Sequence, residues 1–286
     1  MKFLNNAWND SREFVMKERP KKLGVLISAI FMITVVGGQA LAGGLVDEFD
    51  FDTVGFTEPL DIDNQYWPQV AGTIFTYFAE TEDGCEWNRV VVTYDTRSID
   101  GVTARVVWDR EWLDESDDCA DELDNYPAGF PYGDLAEITN DWYAQDDSDN
   151  IWYLGEHTVS LDTDEDECDD WADPDLVFGL TGCLDGSFES GVGEAEAGIV
   201  MLGDPSKGDF YQQEYDEDNA EDWGKVLNFV PVEESEDCLK TKEWTPLERG
   251  EVEHKYYCPD LGALVLIEEV SGGPTVVVDL IEVSNY

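Results

Sequence analysis

Basic residues are scarce in this sequence. It contains 16 Lys and Arg against 66 Asp and Glu, which gives a formal net charge of −50. A surface of that charge repels phosphate groups, so we expect no nucleic acid partner and no binding to anionic lipid. Aromatic residues, by contrast, make up 12% of the chain and include ten Trp. The chain can therefore bury a core and does not have the composition of a disordered acidic tail.

The sequence also lacks the motifs of familiar enzyme classes. It has no G-x-S-x-G elbow, no H-E-x-x-H, no Walker loop and no dinucleotide-binding fingerprint. With two His, His157 and His254, and no C-x-x-C, a thiolate metal site is not expected. A carboxylate pair for glycoside hydrolysis carries no weight, because so many acids always supply one. We predict a protein without enzyme activity, with a glycoside hydrolase as the remote alternative.

The beginning of the chain has the composition of a leader. Residues 1–22 carry six of the basic residues, and residues 23–46 form an uncharged run of 24 residues that includes Ala40-Leu41-Ala42. A basic start, an apolar stretch and an A-x-A pattern predict a signal peptide at residues 1–42, cleaved after Ala42. An uncleaved anchor at residues 23–46 is the alternative, and only then would a membrane be a partner. In both cases we expect an extracellular or cell-surface protein.

The part of the chain after the leader is even more acidic than the whole. Residues 43–286 hold 63 acidic and 10 basic residues. Repulsion on that scale destabilises a compact state at low salt, so high salt or divalent cations are the expected setting. We therefore predict a halophilic protein, in which acidic clusters are common and none of them alone identifies a site.

Six cysteines follow the leader, and an even number in an exported chain indicates disulfide bonds. Six cysteines allow 15 connectivities. We favour pairing between neighbours in sequence: Cys85 with Cys119, Cys168 with Cys183, and Cys238 with Cys258. The last pair has the best argument, because a hairpin turn at residues 245–250 would place its two cysteines opposite each other.

The hydrophobic pattern of the mature chain has a period of two. Short β-branched or aromatic runs lie at residues 73–80, 89–94, 102–108, 138–145, 151–154, 210–215, 225–230, 238–244, 252–258, 264–270 and 275–283. Turn pairs at Asp100-Gly101, Asp149-Asn150 and Gly272-Gly273 separate some of them. We predict an all-β fold, an antiparallel curved sheet or sandwich of about ten short strands. It forms a single domain over residues 65–286, after an extended segment at residues 43–64.

A faint internal repeat suggests two similar meanders. Pro68-x-x-x-Gly72 and the aromatic strand after it resemble Pro205-x-x-Gly208 and its following strand. A hydrophobic strand, a strand containing Trp (Trp108 or Trp244) and an aromatic hairpin come next in both halves. Duplication predicts two meanders packed together or merged into one curved sheet, and chance alignment of aromatic strands is the alternative.

Three strings carry a resemblance to known proteins. They are DWYAQDDSDNIWYLGE at residues 141–156, GIVMLGDPSKGDFYQQEY at 198–215, and TKEWTPLERGEVEHKYYCPDLGALVLIEEV at 241–270. Over residues 65–283 the chain resembles an uncharacterised family of exported prokaryotic β-sheet proteins. The third string also resembles the closing hairpin of half-barrel envelope proteins akin to lipoprotein carriers. The resemblance implies a curved antiparallel sheet and implies no activity.

The hairpin tip of that family usually reads D-x-D-G-N, and Asp146, Ser148, Asp149 and Asn150 align with it here. Oxygen side chains at alternate positions, followed by Glu156, are suited to a hard cation such as Ca²⁺. A plain hairpin whose Asp and Asn accept left-handed turn conformations is the alternative. A second acidic cluster contains Asp162, Asp164 and Asp166 beside the predicted Cys168–Cys183 loop. It is either a second cation site or a solvated halophilic loop.

The segment after the predicted cleavage site alternates acids with apolar residues. The acids are Asp47, Asp50 and Asp52, and the apolar residues are Phe49, Phe51, Val54 and Phe56. Such a strand could lie on the edge of its own sheet or pair with a neighbouring subunit. We predict an exported, non-enzymatic surface or extracellular structural protein that binds calcium and self-associates through this segment into a filament or layer. The alternative is a binding or carrier module that holds an apolar ligand in a curved sheet.

Overall fold

The computed structural model describes residues 51–115, 119–161, 168, 172, 182–184, 186–270 and 275–286. The predicted leader, residues 43–50 of the extended segment, and the Gly272-Gly273 turn lie outside these ranges. Within them, no helix is long and apolar enough to cross a membrane.

Fifteen strands and one short helix make up the described fold. The strands are β1 (Thr73–Glu80), β2 (Cys85–Ile99), β3 (Val102–Asp114), β4 (Asp134–Gln145), β5 (Ile151–Ser160), β6 (Cys183–Leu184), β7 (Phe188–Glu189), β8 (Glu196–Met201), β9 (Phe210–Gln212), β10 (Glu214–Tyr215), β11 (Trp223–Val232), β12 (Ser235–Trp244), β13 (Glu253–Cys258), β14 (Ala263–Glu269) and β15 (Val276–Asn285). The helix α1 spans Cys119–Asn125.

All fifteen strands belong to one antiparallel sheet that is curved and nearly barrel-shaped. Its order is β10-β8-β5-β4-β3-β2-β1-β15-β14-β13-β12-β11-β9, with β6 and β7 paired to β5. The predicted all-β fold is therefore confirmed. The count of about ten strands was too low. β6 and β7 have two residues each, too few for an alternating pattern to be recognised, β8 was not among the predicted runs, and the predicted run at residues 210–215 divides into β9 and β10.

The sheet contains two runs of six strands with the same order. One run is β1-β2-β3-β4-β5-β8 and the other is β9-β11-β12-β13-β14-β15, and the pairing of β1 with β15 joins them. In both runs each strand pairs with the next one along the run. This is the order that a duplication merged into one curved sheet would produce, and the faint sequence repeat follows the same correspondence.

A single extended segment, residues 210–215, connects the two ends of the strand order and so closes the sheet into a ring. Its first part, β9, pairs with β11, and its second part, β10, pairs with β8. Gln213 lies between these two parts, where the segment changes partners. Gly198 on β8 allows the close approach, because a Cβ at this position would lie 2.4 Å from the backbone of Gln213.

The predicted hairpins and strands are mostly confirmed, with one correction near the beginning. Asp100 and Gly101 both have positive φ, 45° and 83°, in the tight turn between β2 and β3. Asp149 has a φ of 64° in the turn between β4 and β5. Phe51–Thr53 is a 3-10 turn, so the alternating strand predicted to begin at Asp47 does not extend through it. Phe51 instead packs its ring against Trp152, 5.2 Å between centroids.

All three predicted disulfide bonds are present. They join Cys85 to Cys119, Cys168 to Cys183 and Cys238 to Cys258. The predicted turn at residues 245–250 does connect β12 to β13, which places the last two cysteines on paired strands. Three disulfides are typical of extracellular proteins.

The main hydrophobic core fills one end of the barrel-shaped sheet. Residues 57–69 lie across this end and form what we call the plug segment. Trp67 contacts the ring of Tyr143 on β4 at 5.2 Å and the ring of Tyr257 on β13 at 6.1 Å. Since β4 and β13 lie on opposite sides of the sheet order, the Trp67 side chain bridges the interior. Asn64 fixes the segment by donating from its side chain to the carbonyls of Asp149, at 2.8 Å, and Leu202, at 3.1 Å.

A second hydrophobic cluster lies on the outer face, at the opposite end. Trp87 on β2 is fully buried there, stacked on Tyr126 at 5.3 Å and packed against Phe130 at 5.6 Å. The disulfide between Cys85 and Cys119 holds α1 over this cluster. At this end of the sheet, apolar packing therefore lies outside the ring.

Candidate functional site

Cross-strand register places acidic side chains on the interior face of the sheet. Phe75 on β1 belongs to the main core and pairs with Val90, which in turn pairs with Asp109. Directly opposed residues share a face, so Asp109 faces the interior, and Glu111, two residues further on, faces it as well. The same argument places Asp141 inside, because it pairs with the buried Val107.

The same comparison of register on the other strands, together with the charge interactions, identifies a group of carboxylates that we call the interior acidic cluster. Its members are Glu86, Asp109, Glu111, Glu137, Asp141, Glu156, Glu214, Asp222, Glu243, Glu253 and Glu269. Several lie near the starts of β2, β4 and β13 or near the ends of β3, β12 and β14. In an antiparallel sheet these positions meet at one end, opposite the plug segment.

Solvent reaches this acidic end. Glu86, Glu111, Glu137, Glu253 and Glu269 are only half-buried, although all five face the inside of the ring. The deeper members Asp141, Glu214 and Glu243 are 7%, 8% and 6% exposed. The cluster thus extends from a hydrated end of the interior to a buried wall.

Burial and mutual repulsion shift the protonation of these carboxyl groups. Burial, together with the charges of Asp141 and Glu137, raises the pKa of Asp109 to about 8. Burial and the neighbouring Glu86 raise the pKa of Glu111. Burial and the carboxylate of Asp222 raise the pKa of Glu214 well above its ordinary value. Part of the cluster therefore holds protons near neutral pH.

Tyr153 joins two members of the cluster through short hydrogen bonds. Its hydroxyl lies 2.6 Å from Asp141 Oδ1 and 2.6 Å from Glu156 Oε2. A phenol has one proton to donate, so the second contact requires a proton on one of the two carboxyl groups. Burial and repulsion raise the pKa of Asp141, and burial raises that of Glu156, which agrees with this sharing of protons.

Lys255 forms ion pairs with two members of the cluster. Its Nζ lies 3.0 Å from Glu243 Oε2 and 3.3 Å from Glu253 Oε2. Burial alone would raise the pKa of Glu243, but Lys255 and hydrogen bonds donated by Gln213 and Thr241 outweigh it and hold the pKa below its usual value. Burial likewise favours a neutral Lys255, and the two glutamates overcome it and raise the lysine pKa. This wall of the interior therefore binds an ammonium group of the chain itself.

Tyrosine rings line the interior next to the acids. Tyr143 and Tyr153 stack at 4.9 Å between ring centroids. The hydroxyl of Tyr77 donates to the carbonyl of Leu264 at 3.2 Å, and that of Tyr257 donates to Glu243 at 3.3 Å. The ring of Tyr211 covers Gly224, where a Cβ would lie 2.4 Å from it. The interior thus combines carboxylates with aromatic faces, both of which attract cations.

The structure brings together three of the residues predicted to bind calcium. At the tip between β4 and β5, the carboxylate of Asp146 accepts hydrogen bonds from the backbone of Ser148 and Asn150, the Asn150 amide and the Trp152 indole, at 2.8, 3.0, 2.8 and 2.9 Å. Glu156 instead lies on the interior face, bonded to Tyr153. Asp162, Asp164 and Asp166 lie outside the described residues. Among those described, no group of three or more His, Cys, Asp or Glu is arranged to hold a metal ion, and calcium binding stays a prediction.

Sequence reasoning missed the interior acidic cluster, because an acidic chain was expected to keep its carboxylates outside. The alternation of residue types in two strands could have indicated this cluster. In β3 the acids Asp109 and Glu111 alternate with Trp108, Arg110 and Trp112. In β13 Glu253, Lys255 and Tyr257 share one face and Tyr256 the other. Because bulky residues lie on both faces of each strand, the sequence pattern does not show which face points to the interior. That is determined when the sheet closes.

The raised pKa values are shared by many carboxyl groups and single out no acid and base pair. What the arrangement can do chemically is attract positive charge and exchange protons as a cation enters. Comparisons of the chain with protein-family models, curated proteins and solved structures found no match. The proposed resemblance to half-barrel carriers therefore has no support beyond the all-β curved sheet.

Proposed function

We propose that this chain is an exported, non-catalytic binding protein that holds a ligand inside its barrel-shaped sheet. The observation that carries the proposal is the polar, solvent-reached end of the interior, opposite the plug segment. Stability alone would favour apolar packing there, because burying carboxylates costs free energy. Groups kept in a costly arrangement inside a concavity are candidates for a binding site.

The arrangement of the two ends supports a module that is open at one end only. The plug segment fills one end with Trp67, and half-buried glutamates line the other. An apolar ligand at the acidic end would take carboxylates out of water without offering them donors. We therefore favour a polar ligand over the apolar ligand of the carrier resemblance. Export is supported by the three disulfides.

A binding screen tests this function. The full chain would be titrated with a fatty acid, a neutral oligosaccharide, spermidine and Ca²⁺, with calorimetry as the readout. We expect one probe class to bind with 1:1 stoichiometry, and Asp141→Asn in the interior to weaken it. Asp95→Asn, an exposed carboxylate on β2, is the matched control and should leave binding unchanged.

Other outcomes would replace the proposal. If no probe class binds, the interior is not a binding site. If the oligosaccharide is cleaved, the chain is a glycoside hydrolase. Large particles that dissolve on chelation of Ca²⁺ would instead support the calcium-bridged filament or layer predicted from the sequence.

A further inference from the structure

The interior acidic cluster has far more negative than positive charge. It contains eleven carboxyl groups, and the ammonium of Lys255 is paired with two of them, Glu243 and Glu253. On the opposite wall, burial and then repulsion by neighbouring carboxylates raise the pKa values of Asp109 and Asp141. Positive charge supplied from outside would remove that repulsion.

Glu214 indicates where such a charge would sit. Its side chain is more than nine-tenths buried, at 8% exposure. Within the part of the chain that the structure describes, its carboxylate has no hydrogen-bond or ion-pair partner, although its oxygens are not fully enclosed and keep some contact with solvent. Its charge interacts with those of Asp222, Glu156 and Asp141, which places it in the same cluster. A largely buried carboxylate surrounded by other carboxylates is costly to ionise, and a bound cation would offset that cost.

The surroundings favour an organic cation over a metal ion. The described carboxylates are spread along several strands and do not converge in threes on one point. A metal ion needs a compact set of oxygen ligands, whereas an extended amine can contact carboxylates at several places. Lys255 between Glu243 and Glu253 is an example of such a contact within the chain.

We propose that the interior acidic cluster binds a small linear polyamine, with one ammonium group at Glu214 and others at Asp141 and Glu156. This inference rests on the proposed binding function and names its ligand class. Binding involves no covalent step. The ammonium groups donate hydrogen bonds to carboxylates, and carboxyl groups that were protonated release protons to the solvent.

The test is calorimetry with spermidine on the full chain in 0.5 M KCl, where nonspecific attraction to the acidic surface is screened. We expect saturable 1:1 binding and at least a tenfold weaker affinity in Glu214→Gln. The matched control is Glu236→Gln, an exposed carboxylate on β12, which should bind spermidine as the wild type does. If Glu214→Gln fails to fold, Glu111→Gln at the half-buried end takes its place. This variant should also bind spermidine more weakly than the wild type.

The outcomes separate the two proposals. Binding of the oligosaccharide or the fatty acid in place of spermidine, with sensitivity to Asp141→Asn, keeps the binding function and overturns the polyamine. Equal weakening by Glu214→Gln and Glu236→Gln shows attraction to the general surface and also overturns it. Failure of every probe overturns both proposals.

Discussion

The two ends of the barrel-shaped sheet are stabilised on opposite faces. At the plug end the interior holds Trp67, Tyr143 and Tyr257 in contact, and the apolar core lies inside the ring. At the acidic end the interior holds carboxylates, and the apolar packing around Trp87 lies outside, beneath α1. Strands at both ends thus have one well-packed face, and at the acidic end the outer cluster provides the apolar packing that the inner face lacks.

Side chains alternate between the two faces of each strand, and this explains why the apolar packing lies inside the ring at one end and outside it at the other. On β2, Trp87 faces outward beneath α1, while Glu86 beside it faces the interior. Val92, further along the same strand, belongs to the interior core. A register shift between β2 and β3 after Val92 shows that the pleat is not regular over the whole strand. One long strand thus contributes to both hydrophobic clusters, because its inner face is apolar at Val92 and its outer face is apolar at Trp87.

The largest expected loss of stability comes from a substitution at the plug end. Asp146→Ala should lower the free energy of unfolding by about 3–5 kcal/mol, because buried donors on Asn150 and Trp152 would lose their acceptor. Chemical denaturation with and without EDTA measures it. Ser148→Ala, whose side chain is exposed, is the control and should change stability little.

The same experiment examines the calcium prediction. If Ca²⁺ binding accounts for the role of Asp146, EDTA should destabilise the wild type by a similar amount and leave the variant unchanged. If Asp146 acts through its hydrogen bonds alone, EDTA should have no effect on either protein.

A smaller loss is expected when the plug segment loses its aromatic bridge. Trp67→Ala should destabilise the protein by about 2–3 kcal/mol, since Trp67 is half-buried and its removal leaves space between Tyr143 and Tyr257. Near-ultraviolet circular dichroism and urea denaturation report the change. Polyamine binding at the opposite end should persist in the folded variant, and its loss would show that the two ends are not separate.

The smallest expected effect is a gain in stability at the acidic end. The pKa of Asp109 is raised to about 8 in the folded protein, against about 3.9 in an unfolded chain. Between these values the folded state holds a proton that the unfolded state has lost, so the contribution of Asp109 to stability falls as pH rises from about 4 to about 8. Asp109→Asn removes this loss and keeps an acceptor for the Asn88 side chain.

The variant should therefore match the wild type near pH 4 and be more stable by about 1–2 kcal/mol at pH 8, after solvent screening is taken into account. Thermal unfolding over this pH range measures the difference, with Asp95→Asn as the exposed control. A difference between variant and wild type that does not change with pH would contradict the assignment.

The fold could be predicted from the sequence because its main signals are local. The period of two and the turn pair Asp100-Gly101 need only neighbouring residues, and the cysteines paired with their neighbours in sequence. The division of the predicted strand at residues 210–215 into β9 and β10 could not be predicted, because the two parts differ only in the partners that closure supplies. The acidic interior is also a property of the closed ring. Nothing local to Asp109 indicates that the other side of the sheet curves around to face it.

The extended segment that closes the ring has a further consequence. Its ladder to β8 joins only two pairs, Glu214 with Ala197 and Tyr215 with Glu196, the shortest ladder in the ring. Every other opening would separate more paired residues, so lateral opening costs least here. The weakest lateral contact of the ring therefore lies next to Glu214. Amide hydrogens of this ladder should be the first of the ring to exchange with deuterium.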